Sequence, residues 1–217
     1  MDNTIYIDSV FLDFGTVKVL RGINLEFKQN KVTGLLGRNG CGKSCLLRII
    51  TGQLKPQSKH LKYQEKVLIN LYKEKGLINY APQHEFHPKS IQLKALLRLY
   101  GIDPEFFFNQ YSFLKPIYSA KLSQLSGGER RLIEVLLVLE ADSKFTILDE
   151  PFMHIMPKYI DLVKERINTI SSKKGILVTD HLYENILDVS DQLYLMRDGI
   201  LKFINNKSDL QLHGYLR

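Results

Sequence analysis

Ile23, Leu25 and Phe27 alternate with Asn24, Glu26 and Lys28, the period-two pattern of a strand with one buried face. The first thirty residues read as strands and turns, and Gln29-Asn30-Lys31 turns the chain. Val32 to Leu36 is a short apolar run that enters a glycine-rich loop, followed by an apolar helix from about Lys43 to Ile50 that Gly52 and Pro56 close. Val67–Ile69 and Leu77–Tyr80 read as short strands, and Ile91–Tyr100 reads as a helix. Asp103-Pro104 opens another helix, because an aspartate caps it and a proline fits its first position. Residues 84–124 carry no strand pattern, which predicts a small helical insertion.

From Ser126 onward helix and strand alternate. Ser126–Ala141 and Pro157 to about Ser171 are predicted helices, the second with Ile160, Val163, Ile167 and Ile170 on one face. Phe145–Leu148 and Ile176–Thr179 are predicted buried strands, and Gln192–Met196 and Ile200–Ile204 flank the hairpin signal Asp198-Gly199. Buried strands separated by helices predict an α/β fold with a mainly parallel sheet covered on both faces.

Composition narrows the class. The 217 residues are 44% hydrophobic and 24% charged, which excludes disorder and collagen-like structure. The longest apolar run, Val135–Leu139, is far short of a membrane span, and the start Met1-Asp2-Asn3-Thr4 does not resemble a secretory signal. Two cysteines, Cys41 and Cys45, fit a reduced, cytosolic setting better than a disulfide framework. The net charge of +7 would suit nucleic acid, an anionic membrane surface or a polyphosphate, and alone selects none of them.

Gly37-Arg38-Asn39-Gly40-Cys41-Gly42-Lys43-Ser44 matches G-x-x-x-x-G-K-[ST] between a strand and a helix. The glycines let backbone N–H groups curl around phosphate oxygens, and the helix N-terminus adds partial positive charge. Lys43 adds a full charge for the β- and γ-phosphates, and Ser44 is placed to ligate Mg²⁺. Hydrolysis also needs an acidic residue at a strand end and a group that activates water. Phe145-Thr146-Ile147-Leu148-Asp149-Glu150 supplies both, with Asp149 toward the metal and Glu150 as general base. Leu125-Ser126-Gly127-Gly128-Glu129 carries a capping box in Ser126 and Glu129. Two adjacent glycines each cost roughly 1 kcal/mol in a helix. They make sense where a ligand approaches the backbone, as at a second anion site serving a nucleotide held by another subunit.

With these motifs in place the chain resembles the ATP-binding cassette (ABC) ATPases over essentially its whole length. Five motifs occur in the family's order: the phosphate loop Gly37–Ser44, Gln83 in Tyr80-Ala81-Pro82-Gln83, the signature Leu125–Glu129, the pair Asp149-Glu150, and His181 in Val178-Thr179-Asp180-His181. The resemblance implies a P-loop NTPase core with an N-terminal antiparallel β subdomain and a helical subdomain at about 84–140, all within one domain spanning 1–217. It implies ATP and Mg²⁺ as cofactors, with Ser44, Gln83 and Asp149 at the metal. Glu150, His181, Gln83 and Lys43 would be the catalytic set. Gly37, Arg38, Asn39, Gly40, Cys41, Gly42, Lys43, Ser44 and Cys45, with Ser126, Gly127 and Gly128, would bind nucleotide, and Phe14 sits where the family places an aromatic that stacks on adenine.

The family further implies a head-to-tail dimer of two such chains, or of this chain with a related cassette, that sandwiches ATP. It also implies integral membrane subunits on other polypeptides, and a place on the cytoplasmic face of a membrane. The last third most resembles the ATPase subunit of the lipopolysaccharide exporter and related importers. Met156 stands where the family has an aspartate that reaches across the dimer, so Phe152, Met153, Ile155 and Met156 are expected to make an apolar contact there instead. Cys45 stands where a threonine is usual, and Leu132, Leu136 and Leu137 replace residues that are often Arg, Ala and Arg. The rival functions are a soluble ABC ATPase acting on nucleic acid or ribosomes and a weakly catalytic nucleotide-gated module. The interval from Ser44 to Ser126 spans 82 positions without a heptad run or a CxxC, so nucleic acid is not expected as a partner. Three consecutive phenylalanines, Phe106 to Phe108, cannot share one helical stripe, so at least one is expected to be exposed, where it would anchor a membrane subunit.

Overall fold

The computed structural model describes residues 3–215. Its centre is a six-stranded sheet built from β3 (Val32–Gly37), β6 (Ile78–Ala81), β7 (Phe145–Asp149), β8 (Gly175–Thr179), β9 (Gln192–Arg197) and β10 (Ile200–Ile204), in the order β10-β9-β3-β8-β7-β6. All neighbours pair in parallel except β9 and β10, which form the antiparallel hairpin at Asp198-Gly199. A second, antiparallel sheet of order β2-β1-β4-β5 contains β1 (Thr4–Phe14), β2 (Val17–Lys28), β4 (Ser58–Tyr63) and β5 (Lys66–Leu68). The α/β class and the mainly parallel sheet read from the sequence are those of the structure.

Strand alternation divides the interior in two. Leu35, Ile147 and Leu177 point from the central sheet toward the antiparallel sheet and α1 (Lys43–Ile50), while Leu36, Leu148 and Val178 point to the other face. Phe145 seals the first core, its ring 4.9 Å from Phe27 and edge-on to Tyr63. The second core is covered by α2 (Leu93–Leu99), α3 (Pro104–Gln110), α4 (Gly127–Glu140), α5 (Ile160–Ser171) and α6 (Tyr183–Val189). The short α7 (Lys207–Leu212) follows the hairpin.

Some boundaries moved for physical reasons. The helix expected from Ile91 starts at Leu93, because Gln92 bridges Lys121 and the Leu93 N–H donates to the Ala120 carbonyl. The helix expected from Pro157 opens with a 3₁₀ turn before α5. Leu132, Leu136 and Leu137, where the family often has Arg, Ala and Arg, are all fully buried, so α4 is a core helix with no charged stripe at those positions.

The end of α4 is held by Lys174, whose ammonium donates to the carbonyls of Leu139 at 2.7 Å and Ala141 at 2.8 Å. Burial pulls its pKa from 10.5 to about 8, against the opposing pull of Glu140 and Asp142. The folded chain therefore releases this proton before the unfolded chain does, and its contribution to stability rises between pH 8 and 10.5. A shift of that size corresponds to about 3 kcal/mol, since one pKa unit is about 1.4 kcal/mol. Urea unfolding of wild type and Lys174→Met should give a stability difference that is flat below pH 8 and moves in favour of wild type above it. A difference that stays flat throughout would show that Lys174 titrates normally.

Candidate active site

Because β3, β8, β7 and β6 run in parallel, their C-terminal ends open on one edge of the sheet, where ligands bind in such folds. β3 ends at Gly37, and a Cβ there would lie 2.6 Å from the Cys41 sulfur and 2.7 Å from the Met196 carbonyl. The loop leaves through exposed Arg38, Asn39 and Gly40 and enters α1 at Gly42, whose φ of 110° suits glycine. No side chain caps α1 and no acid occupies its first turn, so its first N–H groups are left for an anionic ligand. Lys43 is buried, and its ammonium donates to the Gly37 carbonyl at 2.6 Å. Burial pushes the Cys41 thiol up, against Lys43, and Cys45 is pushed up by burial as well; both pack partly into the core beneath the loop.

Asp149 ends β7 with its carboxylate buried. It accepts from the Thr179 hydroxyl at 2.9 Å and the Tyr80 hydroxyl at 3.3 Å, and the Ser44 hydroxyl also reaches it. Burial raises its pKa; the Thr179 and Ser44 hydrogen bonds oppose this, and the Glu150 charge adds to it. A serine hydroxyl beside a desolvated carboxylate at the foot of a glycine cradle is a hard-oxygen donor set that fits Mg²⁺.

Glu150 takes a positive φ of 50° just past the strand, with its N–H on the Thr179 carbonyl at 3.0 Å. The turn swings its carboxylate toward the Gln83 amide, which donates to it at 2.9 Å, while His181 Nδ1 lies 3.9 Å away. Three residues read separately from the sequence thus meet at one carboxylate. Asp180 lies fully buried behind His181, with one oxygen on the Leu182 N–H at 2.9 Å and the other without a partner; burial raises its pKa.

Arg131 and Glu134 carry geometry that the sequence reading did not assign. The Arg131 guanidinium, 3% exposed, donates to the carbonyls of Pro82 at 2.6 Å, Asp149 at 2.8 Å and Glu150 at 3.1 Å. One turn further along α4, Glu134 accepts from the Phe86 and His87 N–H groups at 3.2 Å and from His87 Nδ1 at 3.1 Å. Tyr100, its pKa pushed up to about 12 mainly by burial, holds the other side of the His87 ring at 3.0 Å. A single helix therefore grips both flanks of Gln83 and the turn that carries Glu150. Glu134, a charge inside the apolar run from Leu132 to Leu139, with Arg131 three positions before it, was the available signal.

The signature forms its capping box: Ser126 Oγ accepts from the Glu129 N–H at 3.2 Å, and Glu129 accepts from the Ser126 N–H at 2.9 Å. The two glycines have different reasons. A Cβ on Gly128 would lie 2.7 Å from the His154 carbonyl, so close packing within the chain requires that glycine, whereas Gly127 is open to approach. The cavity beside them is lined by Gln83, His84, Glu85, Arg131 and His154, not by the phosphate loop. The apolar stretch after Glu150 also differs from expectation. Phe152 and Ile155 are buried in the helical core, so only Met153 and Met156 remain half-buried and His154 exposed. Phe14 is 53% exposed where β1 turns into β2; Val17 and Val19, rather than Phe14, line the cavity of about 480 Å³ beside Arg38–Cys41.

A phosphate loop, a strand-end acid pair and a histidine just past the end of the neighbouring strand define a P-loop nucleotide-hydrolase fold. Residues 20–153 match the ABC transporter family, and the chain belongs to it. It is 27% identical over 213 residues to the lipopolysaccharide export system ATP-binding protein LptB of Acidithiobacillus ferridurans, covering 92% of this chain and 88% of the relative. It is 27% identical over 227 residues to the xylose/arabinose import ATP-binding protein XylG of Sulfolobus acidocaldarius, covering 96% and 90%. The structure of an ATP-binding subunit of an ABC transporter superposes with a TM-score of 0.83 at 18% identity, over 97% of this chain and 93% of that one. The chain is an ATP-binding domain of this family, and domains of this family are ATPases.

Proposed function

We propose that the chain hydrolyses ATP as the energy-supplying subunit of a transporter, working as a head-to-tail dimer with membrane subunits on other polypeptides. The convergence of Gln83 and His181 on Glu150, at the sheet edge that also carries the phosphate loop, is the observation that supports hydrolysis. In this reading residues 37–44 cradle the phosphates, and Lys43 leaves the Gly37 carbonyl to face them. Ser44, Asp149 and Gln83 hold Mg²⁺, which neutralises phosphate charge. Glu150 takes the proton of the attacking water, Gln83 and His181 orient that water, and Phe14 covers the adenine. The exposed Ser126 and open Gly127 serve the partner's nucleotide, because the cavity that Gly127 lines includes none of residues 37–44.

Among the described residues no helix is long and apolar enough to cross a membrane, so the transport path is assigned to partners. Phe107 is buried, whereas Phe106 is 46% and Phe113 40% exposed, as a contact of the helical insertion (about 84–140) with a membrane subunit requires. Tagged chain expressed in its own organism should sediment with membranes and leave them in detergent with a multi-span polypeptide that raises its ATPase rate. Recovery wholly in the soluble fraction, bound to nucleic acid, would overturn the transporter reading.

A further inference from the structure

The apolar run of β8 ends on a hydroxyl. Ile176, Leu177 and Val178 are followed by Thr179, and all four are fully buried. Valine or isoleucine would suit a buried strand at this position, and a hydroxyl taken out of water is costly unless it is paired. The partners of this one lie at the acid pair. β8 runs between β3 and β7, and its register sets Thr179 opposite Asp149 on one side and Leu35 on the other. The Thr179 hydroxyl donates to Asp149 Oδ1 at 2.9 Å, and its oxygen accepts from the Glu150 N–H at 3.2 Å.

A hydroxyl has one proton to give, and giving it to the carboxylate leaves the lone pairs for the amide. The bonds therefore run in one direction, from the Glu150 N–H through the hydroxyl to Asp149, and in a buried site each strengthens the next. The Glu150 N–H also reaches the Thr179 carbonyl at 3.0 Å, so the backbone by itself keeps the turn at φ 50° close to its place. The side chain adds what the backbone does not, a donor to one oxygen of Asp149 while the Tyr80 hydroxyl donates to the other at 3.3 Å. A carboxylate engaged on both oxygens has a fixed plane, and its remaining lone pairs have a fixed direction. Outer-shell contacts of this kind orient the ligands of a metal site.

We infer that Thr179 is a positioning residue for metal and base together: its hydroxyl orients the Asp149 carboxylate toward Mg²⁺ and registers the turn that carries Glu150 against it. The inference rests on the proposed roles of Asp149 at the metal and Glu150 as base. It gives a task to a side chain that the sequence presents only as the end of a buried strand before His181.

Calorimetric titration with ATP at graded Mg²⁺, with single-turnover hydrolysis at a temperature where each variant is folded, tests it on Thr179→Val, Thr179→Ser and Asp149→Asn. Thr179→Val keeps the branched shape and loses the hydroxyl. The Glu150 N–H retains the Thr179 carbonyl there, so no buried donor is orphaned and the fold should hold. The Mg²⁺ concentration that gives half of the metal-dependent gain in ATP affinity should rise about tenfold, and the single-turnover rate should fall about tenfold, the lower end of what an outer-shell partner contributes. ATP affinity without Mg²⁺ should match wild type. Thr179→Ser keeps the hydroxyl, loses one methyl group and should recover most of both losses. Asp149→Asn should lose most of the Mg²⁺-dependent gain; if it keeps the wild-type dependence, the metal assignment itself is wrong. If Asp149→Asn loses that gain while Thr179→Val behaves as wild type, only the inference about Thr179 falls. It falls as well if Thr179→Ser is impaired as much as Thr179→Val, which would make the residue a packing group. A slower rate with unchanged Mg²⁺ dependence would also overturn it, since the hydroxyl would then serve Glu150 alone.

Discussion

Glu150→Gln is expected to bind ATP with wild-type affinity and to hydrolyse it on the order of 10²- to 10⁴-fold more slowly, the range that a positioned general base contributes. The substitution preserves shape. The contacts that set the unusual backbone at this position, from its N–H to the Thr179 carbonyl at 3.0 Å and to the Thr179 hydroxyl at 3.2 Å, do not involve the side chain. The Gln83 amide at 2.9 Å finds an amide oxygen in place of a carboxylate oxygen. What is lost is the capacity to accept a proton. In a head-to-tail dimer held together by ATP, a protein that binds but does not cleave should accumulate as the dimer. Sizing chromatography with and without Mg-ATP, beside single-turnover hydrolysis, reads both properties. A Glu150→Gln protein that stays monomeric and turns over at the wild-type rate would remove Glu150 from the role of base.

The elements that present this carboxylate were legible because each is a local pattern. The helix expected over Lys43–Ile50 is the one observed, since a glycine loop before it and Gly52 after it leave little freedom. The buried strands β7 and β8 were visible as short apolar runs, and the hairpin at Asp198-Gly199 as a turn signal. β4 was missed because only Leu61 and Tyr63 of its six residues are buried, too few to mark a period. α6 and α7 are short, and neither was read. The gaps in the site have another cause. Arg131 acts on carbonyls 49, 18 and 19 positions away, and Glu134 on backbone groups 47 and 48 positions away. Such contacts leave no period and no spacing in the sequence. Phe152 and Ile155 show the same limit: as an apolar stretch they fit a dimer contact, but β7 delivers them into the helical core.

Arg131→Met is expected to lower both turnover and stability while leaving ATP binding within a few-fold of wild type. The guanidinium is the shared donor for Pro82, next to Gln83, and for the two residues that end β7, Asp149 and Glu150. Burial lowers its pKa, with the charges of Glu134 and Asp149 opposing, which marks it as a charge held in place by its partners. Methionine fills much of the volume but leaves those carbonyls without a donor, at a cost of about 1–3 kcal/mol for each group that stays buried and unpaired. Loss of stability alone would be expected of any buried arginine. The distinguishing readout is the maximal rate per folded molecule. Gln83 and Glu150 sit 2.9 Å apart because one side chain ties their backbones together, and a misplacement of about 1 Å between reacting groups costs on the order of 100-fold. Turnover at saturating ATP should fall by that order at a temperature where the variant is fully folded. Arg131→Lys should recover only part of it, since a single ammonium lacks the fork that spans both segments. The phosphate loop lies outside this network, so ATP affinity should hold. An Arg131→Met protein that melts early yet turns over at the wild-type rate while folded would reduce Arg131 to a structural tie, and Gln83 and Glu150 would then owe their alignment to the strands alone.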